Sequence, residues 1–187
     1  MNPDGSKTVY ELNINYGDAL GENTDLERIQ AKKMLAAHNI LLSFIGVPAI
    51  YYHSLFGSHG DKAAVVRTKD NRQINREKLD ADTLISELES NQYRHTIHEG
   101  LRKLIETRGK RPEFDPYGEQ KVFDLGKNVF VFERYLKNSN SKILCITNVS
   151  DRDTTVELPF SGKDLIRDEE VGSRLKIAPY SYYWIRN

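Results

Sequence analysis

The run Gly46-Val47-Pro48-Ala49-Ile50-Tyr51-Tyr52-His53-Ser54-Leu55-Phe56-Gly57-Ser58 decides how this chain is read. Residues 47–52 are apolar and rich in β-branched and aromatic side chains, which predicts a short buried strand. Pro48 has no backbone donor, so it belongs at the start of that strand. Just upstream, Thr24-Asp25-Leu26-Glu27 reads as a capping box. The helix it opens should run to about Ser43, with Leu26, Ile29, Met34, Ala37, Ile40 and Leu41 at helical spacing. Leu35, Ala36 and Leu42 widen the stripe, so cover is expected on more than one side, and Gly46 ends the helix. Helix, tight turn and buried strand together are half of an α/β repeat.

Working outward, residues 2–7 are a cluster of turn formers, and residues 9–16 suit a short strand or an extended loop. The segment 53–80 is polar and long for a passive connection. Asp82 is placed to cap a helix through Ser90. A second helix over 93–108 puts Ile97, Leu101, Leu104 and Ile105 on one face, before Gly109 and Pro112 stop it. From Val122 onward the pattern changes to strands at 129–135, 143–149, 154–158, 175–177 and 182–186. Turn signals separate them at Gly126-Lys127-Asn128, Asn138-Ser139-Asn140, Ser150-Asp151 and Ser161-Gly162. Regular short strands with polar turns predict an antiparallel sheet or sandwich. The expected division is 1–112, mainly helical, and 113–187, mainly β.

The chain has 187 residues, fewer than the ~250 of a complete (β/α)8 barrel. Lys+Arg and Asp+Glu both number 27, so the formal net charge is zero. Duplex nucleic acid, which needs a basic face, is an unexpected partner, and an anionic membrane has nothing to attract it. No stretch approaches a membrane span, and the start carries no basic and apolar leader pattern. Cys145 is the only cysteine. It lies in an apolar run, reads as a buried structural thiol, and fits a reducing, cytoplasmic setting. His95 and His98 are three apart on a helix, but no third ligand is near them in sequence, and neither a metal nor a cofactor is expected.

The order helix, Gly-Val-Pro-Ala-Ile-Tyr-Tyr, long polar loop, two helices and closing β region resembles the end of an alpha-amylase-family (glycoside hydrolase family 13) enzyme. In that family a proline commonly stands where this chain has Ile45. The stretch Ala178-Pro179-Tyr180-Ser181-Tyr182-Tyr183-Trp184-Ile185 resembles the family's closing strand. Tyr10-Glu11-Leu12-Asn13-Ile14-Asn15-Tyr16-Gly17-Asp18-Ala19-Leu20 and Arg72-Gln73-Ile74-Asn75-Arg76 resemble segments of its sucrose phosphorylase branch. His53-Ser54-Leu55-Phe56-Gly57-Ser58 and Glu77-Lys78-Leu79-Asp80 look more like relatives that phosphorolyse glucosylglycerate or phosphorylated sucrose. The resemblance implies an α+β fragment: the last α/β unit of a TIM barrel, its trailing helices, then an antiparallel β domain. It also implies a retaining double displacement through two carboxyl groups ~5–5.5 Å apart, with phosphate as final attacker and glucose 1-phosphate as product. The family's catalytic carboxylates lie upstream of the segment matched by residues 10–20, so no catalytic residue is expected here. Sugar and inorganic phosphate are partners of the full-length enzyme.

Arg72 and Arg76 lead the substrate-binding candidates. A guanidinium offers five donors and suits vicinal hydroxyls, carboxylate or phosphate. The resemblance places one arginine of this motif at the glucose subsite, and Arg76 is the favoured one. His59 and Asp61 fall in the loop after the expected strand, on the acceptor and phosphate side. Relatives often carry Asn-Asp where this chain has Gly60-Asp61. His53 follows the strand end, where it either contacts substrate or is hydrogen-bonded structurally. Trp184 with Tyr180, Tyr182 and Tyr183 suits sheet core better than a sugar-stacking platform. Two other functions stay open: a carbohydrate-binding module in 117–187, or an interaction domain. A bare helix 24–43 and strand 47–52 would leave an apolar face, so self-association, or disorder before about residue 80, is expected.

Overall fold

The computed structural model describes residues 3–6, 8, 12–21 and 24–187. Among these residues six α-helices come first: α1 (Tyr16–Leu20), α2 (Glu27–Ser43), α3 (Tyr52–Leu55), α4 (Lys62–Thr68), α5 (Ala81–Ser90) and α6 (Gln92–Gly109). Eight strands follow: β1 (Glu119–Phe123), β2 (Val129–Tyr135), β3 (Lys142–Asn148), β4 (Thr154–Glu157), β5 (Gly162–Asp164), β6 (Glu169–Val171), β7 (Arg174–Ile177) and β8 (Tyr182–Arg186). One six-stranded sheet has the order β1-β2-β3-β8-β5-β6, and β4 pairs with β7 in a separate ribbon. Every pair is antiparallel. Helices followed by an antiparallel sheet is the order the sequence predicts.

The sheet is covered on both faces. Phe132, Ile143, Cys145 and Trp184 point toward α2 and α6 and share a core with Met34, Leu35, Leu42, Ile97, Leu101 and Leu104. The alternate residues Val131, Leu144, Ile146 and Ile185 pack under the β4–β7 ribbon with Val156 and Ile177. This is the period-2 division of a strand, with both faces dry. Helices α2 and α6 approach closely at Gly100, where an added Cβ would lie 2.6 Å from Leu35 Cδ2.

Two arginines, Arg134 buried and Arg108 half-buried, stitch the helices to the sheet through carbonyl oxygens. Arg134 of β2 is fully buried and donates to Ser43 O (3.0 Å), Asp115 O (2.7 Å) and Glu119 O (3.2 Å). Arg108 of α6 donates to Leu42 O (2.5 Å), Gly46 O (3.0 Å) and Phe114 O (3.1 Å). Each takes up carbonyls left over at the end of α2 or in the connection before β1. Asn39 adds a polar link, donating to Thr147 Oγ1 at 2.8 Å.

Several expectations need correction. Residues 47–51 are extended but pair with no strand, and Tyr52 begins α3. A strand needs a ladder partner, and the described residues supply none. The N-cap of α2 is Leu26 without a side-chain bond, not a capping box from Thr24. The polar segment 53–80 contains α3, α4 and a 3-10 turn at Asn71–Asn75. The cap of α5 is Asp80, which accepts from Thr83 N at 3.0 Å, rather than Asp82. Ile105 is 42% exposed instead of buried. Of the expected strand or loop at 9–16, residues 12–15 are irregular, Tyr16 starts α1, and residues 9–11 lie outside those described; so do Asn2 and Lys7 of the turn cluster. Strands β1, β5 and β6 lie where the sequence predicts no strand.

Candidate functional site

Gly46 (φ +103°) turns the chain out of α2 into the extended run that carries Tyr51 and Tyr52. The hydroxyl of Tyr51 donates to Asn75 O at 2.5 Å, and that of Tyr52 to Glu77 O at 3.3 Å. The backbone on either side of Arg76 is therefore held by two tyrosines. The turn that carries both arginines starts at Asp70, whose carboxylate accepts from Arg72 N (3.0 Å) and Gln73 Nε2 (3.1 Å). Those bonds, first the Arg72 N–H and then the Gln73 side chain, hold the Asp70 carboxyl below its usual range, with smaller help from the Arg76 and Arg72 charges. The Asn75 side chain donates to Ile14 O at 3.3 Å.

The result is a hollow of about 300 Å³ lined by Leu12, Asn13, Tyr51, Arg72, Asn75 and Arg76. Both arginines are exposed, and among the described residues the Arg76 guanidinium has no ion-pair partner. A second hollow of about 520 Å³ shares Tyr51 and Asn75 and extends over His38, Leu41 and Ala49. The chemistry available at the first hollow is multiple N–H donation to oxygen, beside the Tyr51 side chain.

His59 and Asp61 sit on the adjoining loop, which touches the arginine turn where Asp61 N donates to Ile74 O at 2.9 Å. The Asp61 carboxylate accepts from Ala64 N at 2.8 Å and caps α4. Gly60 presses against that turn: an added Cβ would lie 2.7 Å from Ile74 Cγ1. His59 Nδ1 is 2.6 Å from Asp18 Oδ1. His53 does not share this exposure. It is 1% exposed, with Nδ1 3.1 Å from Ser58 Oγ and its ring against Tyr52 at 4.0 Å. Burial lowers its pKa; the Glu77 charge opposes that shift and the Arg94 charge adds to it.

Sequence reading singled out the arginines but not the residues that shape their hollow. In the sequence Tyr51 reads as strand, and Asn75 as part of a motif. Asp18 stands out only within a resembling stretch, and its contact with His59 spans 41 positions, beyond any local signal. Trp184 is fully buried 4.6 Å from Phe114 and offers no sugar platform. Burial raises the Cys145 thiol pKa well above its usual range. His95 Nδ1 is 2.9 Å from Leu88 O. Among the described residues no group of three or more His, Cys, Asp or Glu is placed to hold a metal, and no helix is long and apolar enough to cross a membrane.

No family model matches the chain. It is 34% identical to the glucosylglycerate phosphorylase of Escherichia coli (strain K12), over 99% of this chain and 34% of that protein. It is 37% identical to the glucosylglycerate phosphorylase of Spirochaeta thermophila, over 81% of this chain and 26% of that protein. The sucrose phosphorylase of Streptococcus mutans is 24% identical over 76% of this chain and 27% of its own length. Among solved structures, AmyP in complex with maltose superposes with a TM-score of 0.70 at 15% identity, covering 83% of this chain and 34% of that one. The sucrose 6F-phosphate phosphorylase of Thermoanaerobacter thermosaccharolyticum gives 0.56 at 23% identity, covering 79% and 27%. The chain thus spans about a third or less of the length of these curated relatives. It belongs to the glucosylglycerate and sucrose phosphorylase family within glycoside hydrolase family 13, and corresponds to the carboxyl-terminal portion of its longer members.

Proposed function

We propose that this chain supplies the substrate side of a retaining glucosyl-transferring phosphorylase that releases α-glucose 1-phosphate, and that it works only with a barrel portion like the remainder of its relatives. The observation that carries this reading is the match to the Escherichia coli glucosylglycerate phosphorylase through 99% of the chain. The two arginines that line one hollow with Tyr51 fit it. Residues 1–112 then form the end of the barrel with its trailing helices, and 113–187 the closing β domain. Residues 47–51 are the last barrel strand awaiting its neighbours. In that assembly Arg76, with Arg72, donates to sugar hydroxyls or phosphate. His59 and Asp61 border the acceptor and phosphate side, and buried His53 supports the strand end. No catalytic carboxylate is assigned to this chain, and the apolar face left bare makes it self-associate when alone. The higher identity to the glucosylglycerate enzymes above than to the Streptococcus sucrose phosphorylase favours a glucosylglycerate-type acceptor.

The test is complementation. The chain is co-expressed with the barrel portion of the Escherichia coli relative, and glucose 1-phosphate release from glucosylglycerate and from sucrose is measured. The pair should turn over glucosylglycerate and neither piece alone should. Arg76→Ala should lower kcat/KM about 100-fold, the loss of charge-assisted hydrogen bonds. A stable complex with no turnover of either substrate, or turnover by the chain alone, would overturn the reading.

A further inference from the structure

His59 is fixed from three sides. Its Nδ1 lies 2.6 Å from Asp18 Oδ1. Its ring lies nearly parallel to that of Tyr93, with centroids 4.9 Å apart at 13°. The next residue, Gly60, donates its N–H to Asp18 Oδ2 at 2.8 Å. One carboxylate on α1 thus binds both the imidazole and the backbone of a loop 41 positions away. The His59 side chain is 50% exposed, and among the described residues its Nε2 has no partner.

An ionised carboxylate accepts hydrogen bonds and donates none, so the ring nitrogen facing Asp18 must carry the proton. A neutral ring then keeps its lone pair on Nε2, the nitrogen left open. Free histidine in water prefers the opposite tautomer. The neighbouring arginines can only donate. A hydroxyl or a protonated phosphate oxygen both donates and accepts, and the guanidinium groups leave its O–H to another acceptor, of which the hollow itself offers the Asn13 and Asn75 amide oxygens and the loop beside it His59. Asp61 does not fill that gap, because its carboxylate caps α4.

We propose that Asp18 is a positioning residue. It seats the 57–61 loop and holds His59 with Nε2 unprotonated and open, as the acceptor for an O–H of the ligand. That ligand is an O–H donor: a sugar or acceptor hydroxyl, or the P–O–H of hydrogen phosphate. The ligand part rests on the substrate-side reading of this loop given above; the tautomer does not.

The tautomer is read directly in the full chain, labelled with nitrogen-15, from long-range proton–nitrogen correlations followed upward in pH until the ring signals stop changing. The expected signature for His59 is a protonated Nδ1 and an unprotonated Nε2. Asp18→Ala should move the proton mainly to Nε2, and Asp18→Glu should restore the original pattern. Should Asp18→Ala fail to fold, Asp18→Asn keeps the shape but can satisfy only one of the two donors, and should give a mixture. A wild-type ring protonated on Nε2, or a pattern that no Asp18 variant alters, would overturn the proposal. Titration of the chain assembled with the barrel portion, first with inorganic phosphate and then with glucose, identifies the O–H source by which one shifts the Nε2 signal. Asp18→Ala should weaken the response about tenfold, the worth of one hydrogen bond. A ring that keeps its signature but answers neither probe supports the positioning and counts against the substrate-side reading, so the two fail separately.

Discussion

The two ends of this chain solve the burial problem differently. In the sheet, the central strands β2, β3 and β8 are covered on both faces from within the chain. In the helical region only one side is covered. Helix α2 buries Met34, Leu35 and Leu42 toward α6 and the sheet, while Leu41, Phe44, Ile45, Val47, Tyr51 and Tyr52 are exposed. Scattered apolar residues on a surface need no explanation, but a contiguous run beside an unpaired extended segment does. The sheet end reads as a finished core, and the helical end as one face of a core shared with something else.

The comparison breaks if the two ends are independent, and the largest test is at their shared core. Trp184 is fully buried on the helix-facing side of β8 and packs on Phe114. Trp184→Ala should cost about 3–5 kcal/mol. In urea the helical signal by circular dichroism and the near-ultraviolet tertiary signal should be lost together. Two separated transitions would mean that the helices do not depend on the sheet.

Arg134 tests the polar stitch between the ends. Its guanidinium satisfies three carbonyls from the end of α2, the connection and β1. Arg134→Met keeps most of the volume but strips those oxygens of their donors, and should destabilise by about 3 kcal/mol. The shift in urea midpoint, followed by Trp184 fluorescence, measures it. A near-neutral result would mean that water replaces the donors and that the joint is wetter than its burial suggests.

The two ends also differ in the acid range where they lose stability. In the helical end, burial lowers the pKa of His38 and of His53; for His38 the bond to Met34 O opposes the shift. The unfolded chain takes up protons at these sites near 6.5, and the folded one resists. Their contribution is therefore full above 6.5 and falls as the pH drops toward the lowered folded values. At the sheet junction, Glu113 is 1% exposed; burial pushes its pKa up, but bonds from Ser141 (2.5 Å) and Arg186 (2.8 Å) outweigh it and the net shift is downward. Its contribution is present above the unfolded value of 4.5 and is lost as the pH falls through the lowered folded value. Denaturation midpoints against pH should fall in two stages. His38→Gln with His53→Gln should flatten the first, and Glu113→Gln the second. A wild-type profile flat from pH 6.5 to 4.5 would remove the histidines from the account.

How much of this was legible in the sequence follows the same division. Strands β2, β3, β4, β7 and β8 were visible because each alternates or runs apolar between turn signals, and their partners lie within the chain. Helices α2 and α6 were visible from their apolar spacing. The run 47–52 carried a strand pattern that the chain does not realise, because a pattern records which faces want cover but not whether a neighbouring strand exists to give it. Helix α4 is hidden because it is only seven residues long inside a polar segment, and it is held by the Asp61 cap and by contact with the arginine turn. At the candidate site, the arginine motif could be read locally. The tyrosine hydroxyls that hold its backbone, and the Asp18 carboxylate that holds His59, are contacts across 24, 25 and 41 positions, which only the folded chain brings together.

The smallest expected effect on stability is the sharpest test of the unfinished face. Val47 is 83% exposed, so Val47→Asp should change the stability of the chain alone by less than about 0.5 kcal/mol. Val131, with the same side chain but fully buried beneath the β4–β7 ribbon, should not tolerate the same change. If residues 47–51 are a strand awaiting neighbours, Val47→Asp should abolish recovery of activity in the complementation assay and suppress self-association of the isolated chain, the latter measured by sedimentation. Stability would then be untouched while assembly is lost, because the charge harms a surface buried only in the assembly. If complementation proceeds unchanged, the exposed face is ordinary surface, and the contrast between the two ends is one of degree.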